Sequence, residues 1–316
     1  MLQASGTKWK SLNLGIIMQQ VLPFLLFLCI GLILKRLSIF PRETDRSLNL
    51  YVIYVALPAL ILLQVPSLQL TSHVLAAVFM PWAVLVVSGL LVLAAGKLGR
   101  WPRETVGALL LVVPLGNTSF LGIPMVEQFF GSSAVRYAVL YDQFGSFLAL
   151  ASYGTLILAL YGKGEHPGLR QTCIKIITFP PFIALLAALF IPMEDLPAML
   201  RPVLTMAAGS LVPVVLVAIG FQMQLLLPRH EIIPFTIGLL IRLLITPVIF
   251  LLTCKFLGLT GRAIQVSLFE TAMPPMVTAG ALASIAGLKP GLTSAMVGFG
   301  ILFSFASLPL IFQWIQ

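Results

Sequence analysis

Two long apolar stretches of this sequence are interrupted by helix-breaking residues, one in each half of the chain. The first break, residues 114–124, runs Pro-Leu-Gly-Asn-Thr-Ser-Phe-Leu-Gly-Ile-Pro, and the second break, residues 270–275, runs Glu-Thr-Ala-Met-Pro-Pro. Proline and glycine interrupt the hydrogen bonds of a helix, and the freed backbone groups are costly in lipid unless protein or water satisfies them. Two such breaks at corresponding places in two halves indicate a ligand site near the middle of a membrane.

The composition places most of the chain in a membrane. The 316 residues are 59% hydrophobic and 9% charged, whereas soluble domains are about 25% charged. Apolar windows of about 20 residues, the length that crosses a bilayer, predict an all-α integral membrane protein with ten transmembrane helices. These helices are predicted over residues 14–34, 47–65, 74–96, 104–128, 134–161, 172–192, 199–225, 232–256, 262–286 and 293–314.

The ten predicted helices divide into two repeats of five. Residues 1–161 form the first five-helix repeat, residues 162–171 a polar cytoplasmic linker, and residues 172–316 the second repeat. Because five is an odd number, the second repeat enters the membrane with inverted topology, an arrangement that is typical of alternating-access carriers.

The two breaks occupy equivalent positions of these repeats. An alignment of Arg103 with Arg262 places Gly116 opposite Pro275. The broken helices are the fourth and the ninth of the chain. We therefore expect them to cross each other near the middle of the membrane.

Lysine and arginine residues are distributed unevenly between the two sides of the predicted membrane. Of the 19 basic residues, twelve flank the loops after odd-numbered spans, six lie on the opposite side, and Arg242 lies within a span. Loops rich in lysine and arginine face the cytoplasm. Both termini of a multi-pass plasma-membrane protein are therefore predicted outside the cytoplasm. The basic residues form no single patch, which argues against a nucleic-acid partner.

The residues of the two breaks form the candidate substrate site. The half-helices that follow the breaks expose amides at their N-termini to an anionic group, and Asn117, Thr118 and Ser119 add polar side chains at the same depth. The alternative is a pair of proline kinks whose hydroxyl groups bond back to their own turn. The candidate substrate-binding residues are Asn117, Thr118, Ser119, Gly122, Pro124, Pro274, Pro275 and Arg242.

Arg242 lies in the eighth predicted span, about 15 Å from its start and near the bilayer centre. A cation at this depth costs roughly 2.5–3.5 kcal/mol, so it should face a cavity or a partner. Its planar guanidinium either binds a substrate carboxylate or forms a structural ion pair with Glu270 or Asp142. If the true span differs from the predicted one, the Arg242 side chain extends to the membrane interface.

Glu270 and Asp142 are the acidic candidates for ion coupling within the predicted spans. A carboxyl group at such depth is either protonated or neutralised by a cation. Glu270 is therefore a proton carrier, a sodium ligand or a structural partner of Arg242. Asp142 is a proton-binding or cavity-lining group, or it accepts a hydrogen bond that packs two helices together.

Three motifs resemble the auxin efflux carrier family. They are Tyr-Val-Ala-Leu-Pro-Ala at residues 54–59, Asn-Thr-Ser-Phe-Leu-Gly at residues 117–122 and Ala-Met-Pro-Pro at residues 272–275. The resemblance covers essentially the whole chain. It implies a ten-helix fold with crossed, unwound fourth and ninth helices, shared with bile acid:sodium symporters and sodium/proton antiporters. The short linker is typical of a compact bacterial-type member in the inner membrane.

The stretch Glu-Thr-Ala-Met that begins at Glu270 is also similar to the Glu-x-Gly-Met stretch of bile acid:sodium symporters. In those proteins the glutamate and oxygens of the fourth-helix break hold sodium. The resemblance therefore implies a sodium ion at Asn117, Ser119 and Glu270. Pro274 and Pro275 stand where the symporters carry Gln-Asn, so two side-chain ligands are missing, and proton coupling stays open.

These features together predict a secondary active transporter of small organic anions. The family resemblance implies a dicarboxylate such as malate or malonate, or an auxin-like carboxylate, coupled to protons or sodium. The sequence contains no P-loop, HExxH, GxSxG or dinucleotide motif, so we expect neither enzymatic activity nor a cofactor beyond the coupling ion. A membrane-embedded sensor or channel on the same fold is the alternative, and analogy suggests a homodimer.

Overall fold

The computed structural model describes residues 14–37, 39–41, 43–65, 74–163, 168–190, 199–227 and 229–316. Within these ranges every regular element is a helix, and the β pairing is limited to one isolated bridge between Gly116 and Pro275. The remaining residues of the two predicted repeats and of the linker lie outside the described ranges.

The first half of the chain forms long helices that are interrupted at the first break. Its helices are Leu14–Leu34, Thr44–Gln64, Val74–Leu98, Arg103–Val112, Ile123–Phe130 and Ser132–Tyr161, and a separate π-helical turn spans Thr118–Gly122. Further π turns lie within the longer helices at Val52–Ala56, Asp142–Phe147 and Leu150–Gly154. Such turns inside α-helices frequently mark functional sites.

The second half of the chain is also interrupted at its break. Its helices are Leu169–Ile177, Pro180–Phe190, Leu200–Gly209, Leu211–Gln222, Arg229–Phe256, Arg262–Thr271, Val277–Ile285 and Pro290–Ile315. Arg229–Phe256 contains a π turn at Ile241–Ile245. The second break separates Arg262–Thr271 from Val277–Ile285.

Six helices of the described ranges are long and apolar enough to cross a membrane. They are Thr44–Gln64, Ala77–Leu98, Ser132–Tyr161, Leu200–Gln222, Arg229–Phe256 and Pro290–Ile315. The two broken helices are not in this set because each is divided into shorter pieces. An all-helical membrane protein, as the sequence predicts, fits these observations.

Two predicted boundaries differ from the observed helices. The predicted span 172–192 is divided, because Leu169–Ile177 ends before Thr178 and the next helix starts at Pro180. The first of these helices begins inside the predicted linker, of which residues 164–167 lie outside the described ranges. Proline is readily accommodated in the first turn of a helix, so Pro180 and Pro181 favour a new start there.

The helices pack in two groups. The flanking group consists of Leu14–Leu34, Thr44–Gln64, Pro180–Phe190, Leu200–Gly209 and Leu211–Gln222. Within it, Gly31 and Gly220 bring two helices into backbone contact, since a Cβ on Gly31 would collide with the Val217 carbonyl and one on Gly220 with the Leu28 carbonyl. The crossing group contains Val74–Leu98, both broken helices, Ser132–Tyr161, Arg229–Phe256 and Pro290–Ile315.

The two groups meet through apolar side chains. Leu57–Gln64 of the flanking group packs on Val135–Tyr141 of the crossing group, and Leu211–Gln222 contacts the π turn Thr118–Gly122. The rings of Phe147 and Phe179 stack between the groups with centroids 4.1 Å apart. The first break therefore lies directly against the flanking group.

Candidate functional site

The two breaks cross and bond to each other through their backbones. The Asn117 amide donates to the Pro274 carbonyl at 2.8 Å, and the Met276 amide donates to the Leu115 carbonyl at 2.9 Å. Gly116 lies between these two bonds, within the isolated bridge to the second break. These bonds satisfy backbone groups that each broken helix leaves free, as buried polar groups require.

New helical segments begin immediately after the crossing. In the second break, the Gly280 amide donates to the Met276 carbonyl at 3.1 Å, so the three amides before it, 277–279, precede the helical ladder. In the first break, the Asn117 carbonyl accepts from Leu121 and Gly122, and the amides of 118–120 precede that turn. The first amides of a helix lack intrahelical acceptors and carry a partial positive charge. Both segments thus offer amide donors near the crossing.

The Asn117 side chain adds a further donor at the crossing. It is 2% exposed, and its Nδ2 atom is buried without a hydrogen-bond partner among the described residues. A buried amide group without a partner is costly. An acceptor from a ligand would remove that cost.

Asp142 binds the first break to the helix Ser132–Tyr161. Its carboxylate is fully buried and accepts from the hydroxyl groups of Thr118 at 2.6 Å and Ser119 at 2.5 Å, and from the Gln143 amide at 2.7 Å. Of the roles that the sequence leaves open for Asp142, the helix-packing hydrogen bond is the one observed. The hydroxyl groups of Thr118 and Ser119 are directed to Asp142 and not back to their own turn.

Glu270 is fully buried just before the second break, and it reaches across to the first. A Cβ on Gly122 would collide with its carboxylate. Neither carboxylate oxygen has a hydrogen-bond partner among the described residues. Ser267, three residues earlier and thus on the same helix face, is also buried with an unpartnered hydroxyl group. Both side chains therefore have hydrogen-bonding capacity that no described residue satisfies.

Arg242 lies at the crossing, where it bonds to backbone carbonyls of both breaks. Nε donates to Met273 at 2.6 Å, and Nη1 donates to Val113 at 3.3 Å and to Pro114 at 3.2 Å. The side chain is 1% exposed. Among the described residues no acidic group lies within 4.0 Å of its guanidinium. The ion pair with Glu270 or Asp142, one of the alternatives that the sequence left open, is therefore not formed, because the carbonyls of the breaks supply the negative partners.

A cavity of about 310 Å³ separates the flanking group from the crossing group along Val277–Ile285. It starts at Val277, next to the crossing, and reaches Ile285 at the far end of that helix. Its polar lining residues are Gln222, Gln224, Ser284 and Ser294, and none of the lining residues carries a formal charge.

The cavity lies at the end of the molecule that carries many of the basic residues. Lys35 donates to the carbonyl of Met223, which lines the cavity, at 2.8 Å. The Lys163 amide donates to the Ala286 carbonyl at 3.0 Å, one residue beyond the lining residue Ile285. The Lys163 backbone is therefore next to the Ile285 end of the cavity, and Ile285 itself is exposed.

The predicted site residues occupy different places around this crossing. The structure brings together Gly116 with Arg242, Gly122 with Glu270, and Thr118 and Ser119 with Asp142. Pro274 and Pro275 lie within the crossing itself. Pro124 is in the first turn of Ile123–Phe130, beyond the π turn and away from the bridge.

Three residues of the site were not in the predicted set. They are Gln143, which donates to Asp142, Gly116, against which the guanidinium packs, and Ser267, which shares a helix face with Glu270. The three-residue spacing between Ser267 and Glu270 could have identified Ser267 from the sequence. The repeat alignment identified Gly116 as the residue opposite Pro275, but its contact with the guanidinium depends on a side chain from a distant helix. Gln143 carried no comparable signal.

Comparisons with known proteins identify membrane transport proteins as relatives of this chain. A family model described as membrane transport protein matches residues 16–312. An uncharacterized transporter of Methanothermobacter thermautotrophicus is 29% identical over 298 residues, which cover 92% of this chain and 96% of that protein. An uncharacterized transporter of Methanocaldococcus jannaschii is 25% identical over 266 residues, with 81% and 85% covered.

Proposed function

Since the chain belongs to the membrane transport protein family, we propose that it is a secondary active transporter that moves small organic anions by alternating access. The family match confirms the resemblance to the auxin efflux carriers. The chain is a multi-pass membrane transporter and not an enzyme. The identity of the anion, the coupling ion and the orientation in the membrane are parts of the proposal.

The crossing of the two breaks is the observation that carries the anion site. The Asn117 Nδ2 group has no internal partner, and the amides of 118–120 and 277–279 precede their helical ladders. Helix N-termini bind anions through such amides and through the helix dipole. A carboxylate at the crossing would accept from both half-helices and from Asn117.

The cavity favours an anion with one carboxylate and an apolar body. Its volume of about 310 Å³ lies at the lower end of the range of ligand pockets, about 300–1,000 Å³. Its lining is apolar apart from two amide and two hydroxyl side chains. Arg242 already donates to three carbonyls, so a second carboxylate would find no cation there. An auxin-like or other aromatic monocarboxylate fits this chemistry better than malate or malonate.

The backbone of the crossing supports the proposed inverted repeats, with residues 1–161 and 172–316 joined by the linker 162–171. When Arg103 is aligned with Arg262, Asn117 matches Met276 and Leu115 matches Pro274. The two crossing hydrogen bonds then map onto each other, with nearly equal lengths of 2.8 and 2.9 Å. This is the pattern expected of an approximate two-fold axis that passes between Gly116 and Pro275.

The position of the cavity supports a state that is open to the cytoplasm. The cavity mouth lies at the basic end of the molecule, which the positive-inside rule assigns to the cytoplasm, so both termini face away from it in the proposed inner-membrane topology. At the other end Leu57–Gln64 packs on Val135–Tyr141. In the proposed cycle the crossing group moves against the flanking group and exposes the site alternately to the two sides.

Glu270 is the proposed coupling residue, and Asp142 the anchor of the first break. Asp142 already accepts three hydrogen bonds, whereas both oxygens of Glu270 lack partners. A buried carboxyl group in that situation needs a proton or a cation. For sodium, the unpartnered hydroxyl oxygen of Ser267 is a better-placed ligand candidate than that of Ser119, which donates to Asp142.

Uptake into proteoliposomes tests the proposal. Labelled benzoate, indole-3-acetate, malate and malonate are offered under a proton gradient and, separately, a sodium gradient. We compare wild type with Asn117→Ala and with the matched control Asn49→Ala in the flanking-group helix Thr44–Gln64. We expect saturable, gradient-driven uptake of a monocarboxylate that is lost in Asn117→Ala and kept in Asn49→Ala.

Two other outcomes have separate meanings. Uptake of dicarboxylates alone would contradict the substrate class inferred from the cavity, while the transporter proposal would stand. Absence of uptake of every anion under both gradients would contradict the anion proposal and favour a sensor on this fold.

A further inference from the structure

Arg242 bonds to backbone carbonyls at the ends of two separate half-helices. Arg103–Val112 ends just before Val113 and Pro114, and Arg262–Thr271 ends just before Met273. The carbonyls of these three residues each accept from the guanidinium. One side chain from a third helix therefore connects both strands of the crossing.

The chemistry of helix ends explains why a cation is needed there. The last carbonyls of a helix have no intrahelical donors, and they form the negative end of the helix dipole. At the crossing two such ends converge in a buried region. A guanidinium offers five donors in a planar fork, so it satisfies carbonyls on both strands and offsets the repulsion between two negative ends.

We propose that Arg242 is a positioning residue that holds the two breaks in register and does not contact the transported substrate. Its donors face the carbonyl ends of the half-helices that precede the breaks. The amides 118–120 and 277–279 belong to the segments that follow the breaks. Arg242 is not among the residues that line the cavity along Val277–Ile285, and a second, smaller cavity that it does line has a volume of about 10 Å³, too small for an organic anion. The crossing and the helix Arg229–Phe256 consequently move together.

Gly116 is the residue that makes this arrangement possible. The guanidinium packs so closely on its Cα that a Cβ there would collide with Nη2 and lie 3.0 Å from Cζ. Any side chain at this position would push the guanidinium away from the carbonyls. Gly116→Ala is therefore a second and independent way to break the contact without changing the charge of the protein.

Hydrogen–deuterium exchange of the purified protein without substrate tests the proposal. The amides of Asn117 and Met276 are the donors of the two crossing bonds, so peptides that cover residues 115–119 and 274–278 report on the crossing. We compare wild type with Arg242→Lys, because an ammonium group lacks the fork that spans both strands. The matched control is Arg262→Lys, since Arg262 also donates to a carbonyl at a helix end, Phe130, at 2.8 Å.

We expect exchange in both crossing peptides to be at least tenfold faster in Arg242→Lys and in Gly116→Ala than in wild type. The same peptides should exchange at the wild-type rate in Arg262→Lys, and peptides from Pro290–Ile315 should be unchanged in all variants. A purely structural arginine would accelerate exchange throughout the protein, and a substrate-binding arginine would leave the substrate-free crossing unchanged.

Unchanged protection of the crossing in folded Arg242→Lys, or uniform acceleration in every peptide, would overturn the proposal. If Arg242→Lys does not fold, Gly116→Ala decides in the same way. No transported substrate is needed, so the result does not depend on which anion the protein carries.

Discussion

The first break and the second break share one backbone arrangement but differ in their side chains. The π turn Thr118–Gly122 of the first break is polar at its start and is held by Asp142. The second break passes through apolar residues and prolines into Val277–Ile285. Its acidic residue, Glu270, packs on the first break at Gly122. The first break is therefore held by a carboxylate that accepts hydrogen bonds from it, whereas the carboxyl group of the second break has no hydrogen-bond partner among the described residues.

The two breaks also differ in their access to solvent. The larger cavity runs along the helix Val277–Ile285 of the second break, whereas the π turn of the first break contacts the flanking-group helix Leu211–Gln222. The comparison teaches that the first break contributes most of the fixed polar groups of the crossing, while the second break contributes the path toward it. In the opposite state of an alternating-access cycle, we expect the second break to pack against the flanking group and a cavity to open beside the first break.

The largest expected effect comes from Glu270→Gln, which removes the titratable carboxyl group and keeps the shape of the side chain. Under the proposed coupling role this variant cannot bind or release the coupling ion. We expect gradient-driven uptake to fall to the leak of empty liposomes, while exchange of labelled for unlabelled anion continues. The matched control is Glu127→Gln on Ile123–Phe130. Wild-type gradient-driven uptake in Glu270→Gln would contradict the role.

The next effect concerns Asp142→Ala, which tests whether the first break depends on its carboxyl anchor. The substitution leaves three donors without their acceptor, the buried groups of Thr118 and Gln143 and the half-buried hydroxyl of Ser119. At about 1–3 kcal/mol for each, the free energy of unfolding should fall by about 3 kcal/mol or more. Chemical denaturation in detergent measures this change. Asp142→Asn keeps an acceptor oxygen and should lose less. A loss below about 1 kcal/mol in Asp142→Ala would argue against the anchor.

A smaller effect is expected for Gly122→Ala, which disturbs a close contact between the first break and Glu270. The added Cβ collides with the carboxylate, and overpacking of this kind costs about 1–3 kcal/mol. Gly209→Ala is the control, because a Cβ there meets no atom within 4 Å. Thermal unfolding should distinguish the two variants. Equal stability of both would show that Glu270 does not need the space at Gly122.

The smallest effect separates Ser119 from Thr278, which are aligned when Arg103 is matched to Arg262. Ser119 donates to Asp142 at 2.5 Å, whereas Thr278 is exposed. Ser119→Ala should lower the free energy of unfolding by about 1 kcal/mol, and Thr278→Ala should change it by less than about 0.5 kcal/mol. Equal losses in the same denaturation assay would remove the difference between the breaks.

The crossing itself was predictable from the sequence. The alignment that placed Gly116 opposite Pro275 identified the two residues that form the observed bridge. Helix breakers in lipid leave backbone groups that need partners. A second break at the same depth has free backbone groups that can pair with those of the first. The positions of the two breaks therefore predicted that they would cross.

The partners of the buried charges were not predictable from the sequence. Arg242 was expected to meet a carboxylate, yet it bonds to carbonyls from residues more than a hundred positions away and from the second break. Helices that are apolar on all sides carry little periodic signal to define the face that turns inward. The depth of a side chain was therefore available from its position in a span, whereas its neighbours were not.

The most direct test of the anion site is protection of a cysteine in the cavity by a transported anion. Ala281→Cys is introduced into a chain that lacks Cys29, Cys173 and Cys254, and a membrane-impermeant maleimide is added from the basic side. Ile39→Cys, in the loop after the first span on the same side, is the control, because Ile39 is 80% exposed. A transported monocarboxylate at ten times its Kd should slow labelling of Ala281→Cys about tenfold and leave labelling of Ile39→Cys unchanged. Unchanged labelling of Ala281→Cys by an anion that the protein transports would contradict a site at the crossing reached through this cavity.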